Sequence, residues 1–219
     1  MIKLNNNIDE LACYLKTKNW LHKNESILSL EIPGEGNMNF TLRVITNERS
    51  FIIKQSREYV EKYPQVAAPK ERVLREAEFY KQVQKYKSLS KMMPNLIGLD
   101  KDNSIMLMDD LGTGTDYSSL YKEGEVISED ALLVIIDFIA QLHTSITVNT
   151  TEKRITNEKM RALNHEHIFK YPYLQENGID LDAILPGLKN GADFIKQDET
   201  LKIEVEKLGK HYLKDGNIL

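Results

Sequence analysis

The hydrophobic residues of this chain change period along its length, and the order of those changes restricts the fold more than any other feature. Ile8, Leu11, Ala12 and Leu15 recur at helical spacing, so the segment Asp9 to Lys18 reads as an amphipathic helix. From Ser26 the pattern becomes that of strands. Ser26 to Ile32 is rich in β-formers and stops at Pro33-Gly34, and Met38, Phe40, Leu42 and Val44 then alternate with a period of two. Asn47-Glu48 reads as a turn, and Phe51-Ile52-Ile53-Lys54 restarts the strand pattern, giving an antiparallel meander. Pro69 suits the first position of a helix whose apolar stripe is Val73, Ala77 and Tyr80. Asn95 to Leu99 and Ser104 to Met108 read as two more strands around the polar turn Asp100 to Asn103. After Asp110-Leu111-Gly112-Thr113-Gly114 only helices and loops are expected. Among them, Ser128 reads as an N-cap with Glu129 and Asp130 at the positive end of the helix dipole, and Leu132, Ile135, Ile136, Ile139 and Leu142 are expected to face inward. Five strands with one inserted helix, followed by a helical part, make an α+β fold of two lobes.

Three places along this order carry residues suited to phosphate chemistry. Gly34-Glu35-Gly36-Asn37-Met38-Asn39 lies between two strands, where glycines let backbone N–H groups approach phosphate oxygens. The same residues also suit an ordinary hairpin turn. It is not a Walker A loop, because no Gly-Lys-Ser/Thr follows and the next element is a strand. Lys54 ends the third strand and shares a face with Ile52, which would set its ammonium against α- and β-phosphates unless it is simply a solvated strand-end lysine. Glu76, three residues after Val73 and four before Tyr80, could pair with Lys54; Glu78 is its nearest rival. Taken in order, glycine turn, strand, lysine strand, glutamate helix, two strands and acidic linker describe a protein-kinase-like nucleotide lobe.

On these residues the chain resembles the aminoglycoside phosphotransferase and choline kinase superfamily, in particular its methylthioribose kinase-like branch. The resemblance also rests on Tyr59-Val60, on Arg75-Glu76-Ala77-Glu78, on Ile105 to Gly112 and on Ala140-Gln141-Leu142-His143, which is similar to the family's Leu-His helix end. It implies an ATP-dependent transfer of a phosphoryl group to a hydroxyl of a small molecule, sugar-like or aminoglycoside-like, with Mg2+. It implies an ATP site formed by Gly34, Gly36, Asn37, Asn39, Lys54, Glu76, Met108, Asp109 and Leu111. In that site Lys54 meets the phosphates, Glu76 orients it, and the backbone of Asp109 and Leu111 in a hinge from Met108 to Leu111 bonds adenine. The side chains of Asp109-Asp110 otherwise read as a solvated acidic turn. The lobes would divide as 1–111, the nucleotide lobe and hinge, and 112–219, a partial helical substrate lobe.

The family's catalytic loop, His-Gly-Asp-x-x-x-x-Asn, is not matched in register. His211 to Leu219 holds Asp215 four residues after His211 and Asn217 two after Asp215, spacings that cannot aim both groups at one phosphoryl centre. Asp215-Gly216-Asn217 reads instead as a turn, with the catalytic base and the metal ligands expected beyond Leu219 and the helical lobe incomplete. The other class of function left open is a non-catalytic nucleotide-binding or interaction module on the same scaffold.

Composition excludes several alternatives. A net charge of −4 without a basic stripe gives no footprint for nucleic acid. One cysteine, Cys13, permits no internal disulfide and fits a reducing cytosol, and the first residues carry no secretory core, so a cytoplasmic location is expected. The longest apolar stretch, Ala131 to Ala140, is broken by Asp137 and too short to span a bilayer. His165 and His167, spaced as in a strand and without a third ligand nearby, do not suggest zinc; the aromatic segment to Tyr173 reads as packing or pocket lining, and His143 as structural. Acceptor identity and oligomeric state are not legible in the sequence.

Overall fold

A computed structural model describes residues 2–34, 36–112, 117–147 and 154–214. The expected turn Asp215-Gly216-Asn217, Glu35 of the glycine segment and Thr113-Gly114 of the linker lie outside the described residues. The chain divides into two compact units, one running to Thr156 and the other beginning at Asn157.

In the first unit, helix α1 (Ile8–Thr17) is capped by Asn7, whose side chain accepts from the Glu10 N–H, with Asp9 and Glu10 in its first turn. Strands β1 (Ile27–Glu31), β2 (Phe40–Thr46) and β3 (Ser50–Gln55) follow, then β4 (Tyr59–Val60), β5 (Tyr63–Ala67), helix α2 (Arg72–Val83) and the short helix α3 (Lys87–Ser90). Strands β6 (Leu96–Asp100) and β7 (Ile105–Asp109) come next, then a 3-10 turn at Tyr117–Tyr121 and helix α4 (Glu129–Ser145). The main sheet has five antiparallel strands in the order β1-β2-β3-β7-β6, so the meander and the later hairpin join where β7 pairs with β3. The register sets Ile53 opposite Leu107 and Lys54 opposite Met106.

Alternation sorts the strand residues onto two faces. Leu42, Val44, Phe51, Ile53, Ile105 and Leu107 form one core with Leu11, Tyr14 and Leu15 of α1. Met106 and Met108 turn the other way, onto Val73 and Ala77 of α2, with Ile52 beside them. A central strand buried on both faces explains the unbroken run Ile105-Met106-Leu107-Met108, all four buried.

The main strands fall where the sequence pattern sets them, and four features differ. The hairpin β4–β5 is additional, a second sheet of two strands. Helix α2 begins at Arg72 rather than at Pro69; the Ser56 hydroxyl accepts from Val73 N–H and donates to Lys70 C=O, which fixes the helix start three residues later. Asp100 is no exposed turn residue: it ends β6 buried, bonded by Tyr14 at 2.9 Å and Lys18 at 2.7 Å. Helix α4 is capped by Ser128 as expected, but Leu132, Ile136 and Ile139 are exposed. Its contacts come from another side, where Phe138, Leu142 and Ile146 pack on Val83 and Leu89.

The second unit comprises α5 (Glu158–Phe169), a 3-10 turn at Tyr171–Tyr173, α6 (Leu181–Ile184), α7 (Leu188–Lys196) and α8 (Glu199–Tyr212). The Arg161 guanidinium donates to the carbonyls of Tyr212, Leu213 and Lys214, closing the end of α8. His165 and His167 lie in α5, not in a strand; the His165 ring stacks at 5.8 Å on Phe169 and the His167 ring meets Tyr171 edge-on at 5.0 Å, so both serve packing. Among the described residues, no helix is long and apolar enough to cross a membrane.

Candidate functional site

The α2-facing side of the sheet carries a cleft of about 540 Å³, within the ~300–1,000 Å³ usual for small-molecule sites. Its floor follows from strand alternation. Thr41 and Arg43 of β2, Ile52 and Lys54 of β3 and Met108 of β7 occupy alternate positions that face it. Gly36, Asn37, Met38 and Asn39 line one side, and Asp109, Asp110, Leu111 and Gly112 another.

Lys54 Nζ lies 2.8 Å from Glu76 Oε1, with the two side chains 24% and 28% exposed, so the ammonium is held yet still reached by solvent. Glu78, the rival, pairs with Arg75 at 2.6 Å instead. Burial first, then the nearby Glu76 carboxylate, pushes the Tyr80 phenol up to about 12, so it stays protonated. Glu76 thus stands behind the cleft lining, held against Lys54.

The glycine segment is tied at its base. Gly34 takes a φ of 65°, a left-handed turn that glycine adopts without strain, and it stands outside the cleft lining. Further on, Lys62 N–H donates to Asn37 C=O at 3.0 Å and Glu61 N–H to Met38 C=O at 3.4 Å. Arg72, buried at the start of α2, donates to the carbonyls of Met38, Tyr59, Arg57 and Pro69 and to Asn39 Oδ1. All five guanidinium N–H donors are engaged.

Nine residues were expected at the site from the sequence. Gly36, Asn37, Asn39, Lys54, Met108, Asp109 and Leu111 line the cleft, Glu76 reaches it through Lys54, and Gly34 shapes the turn beside it. The acidic pair requires correction. Asp109 is not a free turn carboxylate: its Oδ2 accepts from the Asn95 N–H at 3.1 Å and side-chain amide at 2.6 Å, while its own N–H donates to Asn95 C=O. The Asp110 side chain is only 5% exposed and meets Arg43 Nε at 2.9 Å. Burial alone would raise its pKa, but Ser50, the Gly112 N–H and Arg43 together hold it below the ordinary carboxylate range.

Comparison with known proteins adds little. No family model matches the chain, and no curated protein matches it. Among solved structures, LicA in complex with AMP matches with a TM-score of 0.43 and 15% identity, over 92% of this chain. The chain spans 56% of the length of that LicA chain. At that identity and TM-score the likeness is one of outline.

Arg43 and Arg72 were missed as site residues. Arg43 could have been found, since it alternates with Thr41 on the face shared with Ile52 and Lys54. Arg72 carries no such signal, because four of its five partners are main-chain carbonyls scattered from Met38 to Pro69.

Proposed function

We propose that the cleft binds ATP and that the chain carries the nucleotide site of a small-molecule kinase. The observation that carries this reading is Lys54 on the floor of a cleft flanked by a glycine segment, its Nζ 2.8 Å from Glu76 behind it. A partly buried ammonium with a carboxylate behind it is a fixed cation, and backbone N–H groups at Gly36 and Asn37 can supply donors to phosphate oxygens. At the opposite side, Met108 to Leu111 would be the hinge, with the main chain of Asp109 and Leu111 meeting the adenine edge. The residues present fit the nucleotide on both counts.

Magnesium, which the family resemblance implies, fits these residues less well. Among the described cleft residues, Asp109 is bonded to Asn95, Asp110 to Arg43, and Glu76 behind the cleft to Lys54. None of these carboxylates is left as a ready metal ligand, so no step is derived through the ion. The chain's own residues position: Lys54 draws the phosphates down, and the hinge fixes the base, which is most of what phosphoryl transfer asks of a protein. The acceptor is a small molecule carrying a hydroxyl. The engaged carboxylates also favour a second reading, a module that binds nucleotide without turning it over.

Calorimetry with ATP on the wild type and Lys54→Ala tests the site. The expected result is micromolar-to-millimolar binding that weakens at least tenfold in the variant. Equal affinity would remove Lys54 from the phosphates. Release of ADP in the presence of sugar or aminoglycoside acceptors separates the kinase from the silent module.

A further inference from the structure

We propose that Arg43 and Asp110 form a clamp that fixes the hinge in the one conformation able to read an adenine, making them positioning residues for the base. This rests on the nucleotide reading of the cleft. Arg43 stands on the cleft face of β2, two strands away from the hinge in the sheet order, and its guanidinium crosses to it. Nε lies 2.9 Å from Asp110 Oδ2, although its N–H points off that line, and Nη2 lies 3.2 Å from Oδ1. The same Nη2 donates to Gly112 C=O at 2.6 Å, and Asp110 Oδ1 accepts from Gly112 N–H at 3.0 Å.

The consequence is a selection among main-chain groups. Both polar groups of Gly112 are consumed by the clamp, and Asp109 N–H is consumed by Asn95. Leu111 N–H makes no hydrogen bond among the described residues, and Leu111 is 70% exposed beside the cleft. Gly112 completes the arrangement with a φ of 86°, a conformation that a side chain would strain. Its Cβ would meet nothing within 4 Å, so the need for glycine is conformational. An exposed N–H donor on a fixed segment, at Leu111 next to the Asp110 N–H that is equally unengaged among the described residues, matches the N1 acceptor of adenine. Guanine carries a hydrogen at N1 and would meet it donor to donor, so the clamp also predicts preference for adenosine over guanosine.

The arrangement separates the base end from the phosphate end, which gives the test its readout. Adenosine, guanosine and inorganic tripolyphosphate are titrated by calorimetry into the wild type, Arg43→Lys, Arg43→Met, Asp110→Asn and the double variant Arg43→Met/Asp110→Asn. Adenosine affinity is expected to fall at least tenfold in Arg43→Met and Asp110→Asn and about threefold to tenfold in Arg43→Lys, which keeps the charge but loses the fork. The double variant is expected to be no worse than the worse single one, because both remove the same clamp. Tripolyphosphate affinity should stay within twofold throughout. Folded variants that keep adenosine affinity within twofold would overturn the clamp, as would tripolyphosphate losses equal to those for adenosine. Should Asp110→Asn not fold, Arg43→Lys decides alone by the same thresholds. A wild type that binds neither adenosine nor tripolyphosphate overturns the nucleotide reading and the clamp with it; a wild type that binds both, with unaffected variants, removes only the clamp.

Discussion

Replacing Arg72 by methionine isolates the bond network that ties the glycine segment to the rest of the sheet. Arg72 is 7% exposed, and its five donors end on four carbonyls and the Asn39 side chain at 2.7 to 3.3 Å. Hydrogen bonds from a charged donor contribute ~1.5–3 kcal/mol each before the cost of burying the charge. That cost is large here: burial lowers the Arg72 pKa, and only Glu61, acting at a distance, works against it. Methionine removes both terms and fills much of the same volume, and the carbonyls it abandons lie near the surface, where water can reach some of them. A net loss of about 2–4 kcal/mol follows, concentrated at the loop rather than spread over the core. Amide hydrogen exchange reads that location directly, because the N–H groups of Glu61 and Lys62 are bonded to Met38 and Asn37. With tenfold per ~1.4 kcal/mol, both should exchange roughly 30- to 1,000-fold faster in Arg72→Met, while the amides of α1 change little. Exchange at Lys62 within threefold of the wild type would refute the idea that Arg72 holds the loop. Arg72→Lys should fall between, since three donors cannot serve five acceptors.

Other outcomes are expected elsewhere. Gly98→Ala puts a Cβ 2.5 Å from Trp20 Nε1 and 2.7 Å from Cζ2, so ~1–3 kcal/mol of stability should be lost with a change in the fluorescence of the chain's one tryptophan; an unchanged denaturation midpoint would place the indole elsewhere. Burial would raise the pKa of Glu25, but Arg49, the His22 N–H and Thr46 bring it down to about 2 from 4.5. A depressed carboxyl stabilises the fold fully above its unfolded pKa and loses that contribution as pH falls, so about 2 kcal/mol should disappear between pH 6 and pH 3, and Glu25→Gln should flatten that slope in urea denaturation. Ser128→Ala removes the N-cap whose hydroxyl accepts from Ala131 N–H at 3.3 Å, and should cost α4 about 1 kcal/mol, read as faster exchange in its first turn; no change there would mean the cap is replaced by solvent.

What was legible in the sequence follows the range of each signal. β-former runs between turn residues located β1, β3, β6 and β7, alternation located β2, and because alternation assigns faces, it also set Lys54 with Ile52 on the side where α2 lies. Helical spacing put Glu76 on the flank of Val73 and Tyr80, so the meeting of Lys54 and Glu76 needed only that α2 cover that face. The hairpin β4–β5 escaped because β4 has only two residues and β5, Tyr63-Pro64-Gln65-Val66-Ala67, is interrupted by Pro64 and shows no apolar alternation. Helix α4 misled for the opposite reason. Leu132, Leu133, Val134, Ile135, Ile136, Phe138 and Ile139 are apolar nearly all round, and a pattern without a polar side cannot say which face is covered.

The site's arginines mark a different boundary. A carboxylate or a lysine on a periodic element inherits its direction from the period, whereas a guanidinium is six bonds from its own main chain and chooses acceptors by what the tertiary fold brings near. Arg43 binds a carboxylate and a carbonyl 67 and 69 residues away, and four of the five acceptors of Arg72 are main-chain oxygens whose positions carry no side-chain identity at all. Substituting the residues that supply those carbonyls would leave the acceptors in place, so no pattern of side chains along the chain can encode the contact. The parts of the cleft that would touch phosphate are therefore readable in one dimension, and the parts that would hold the cleft in shape are readable only in three.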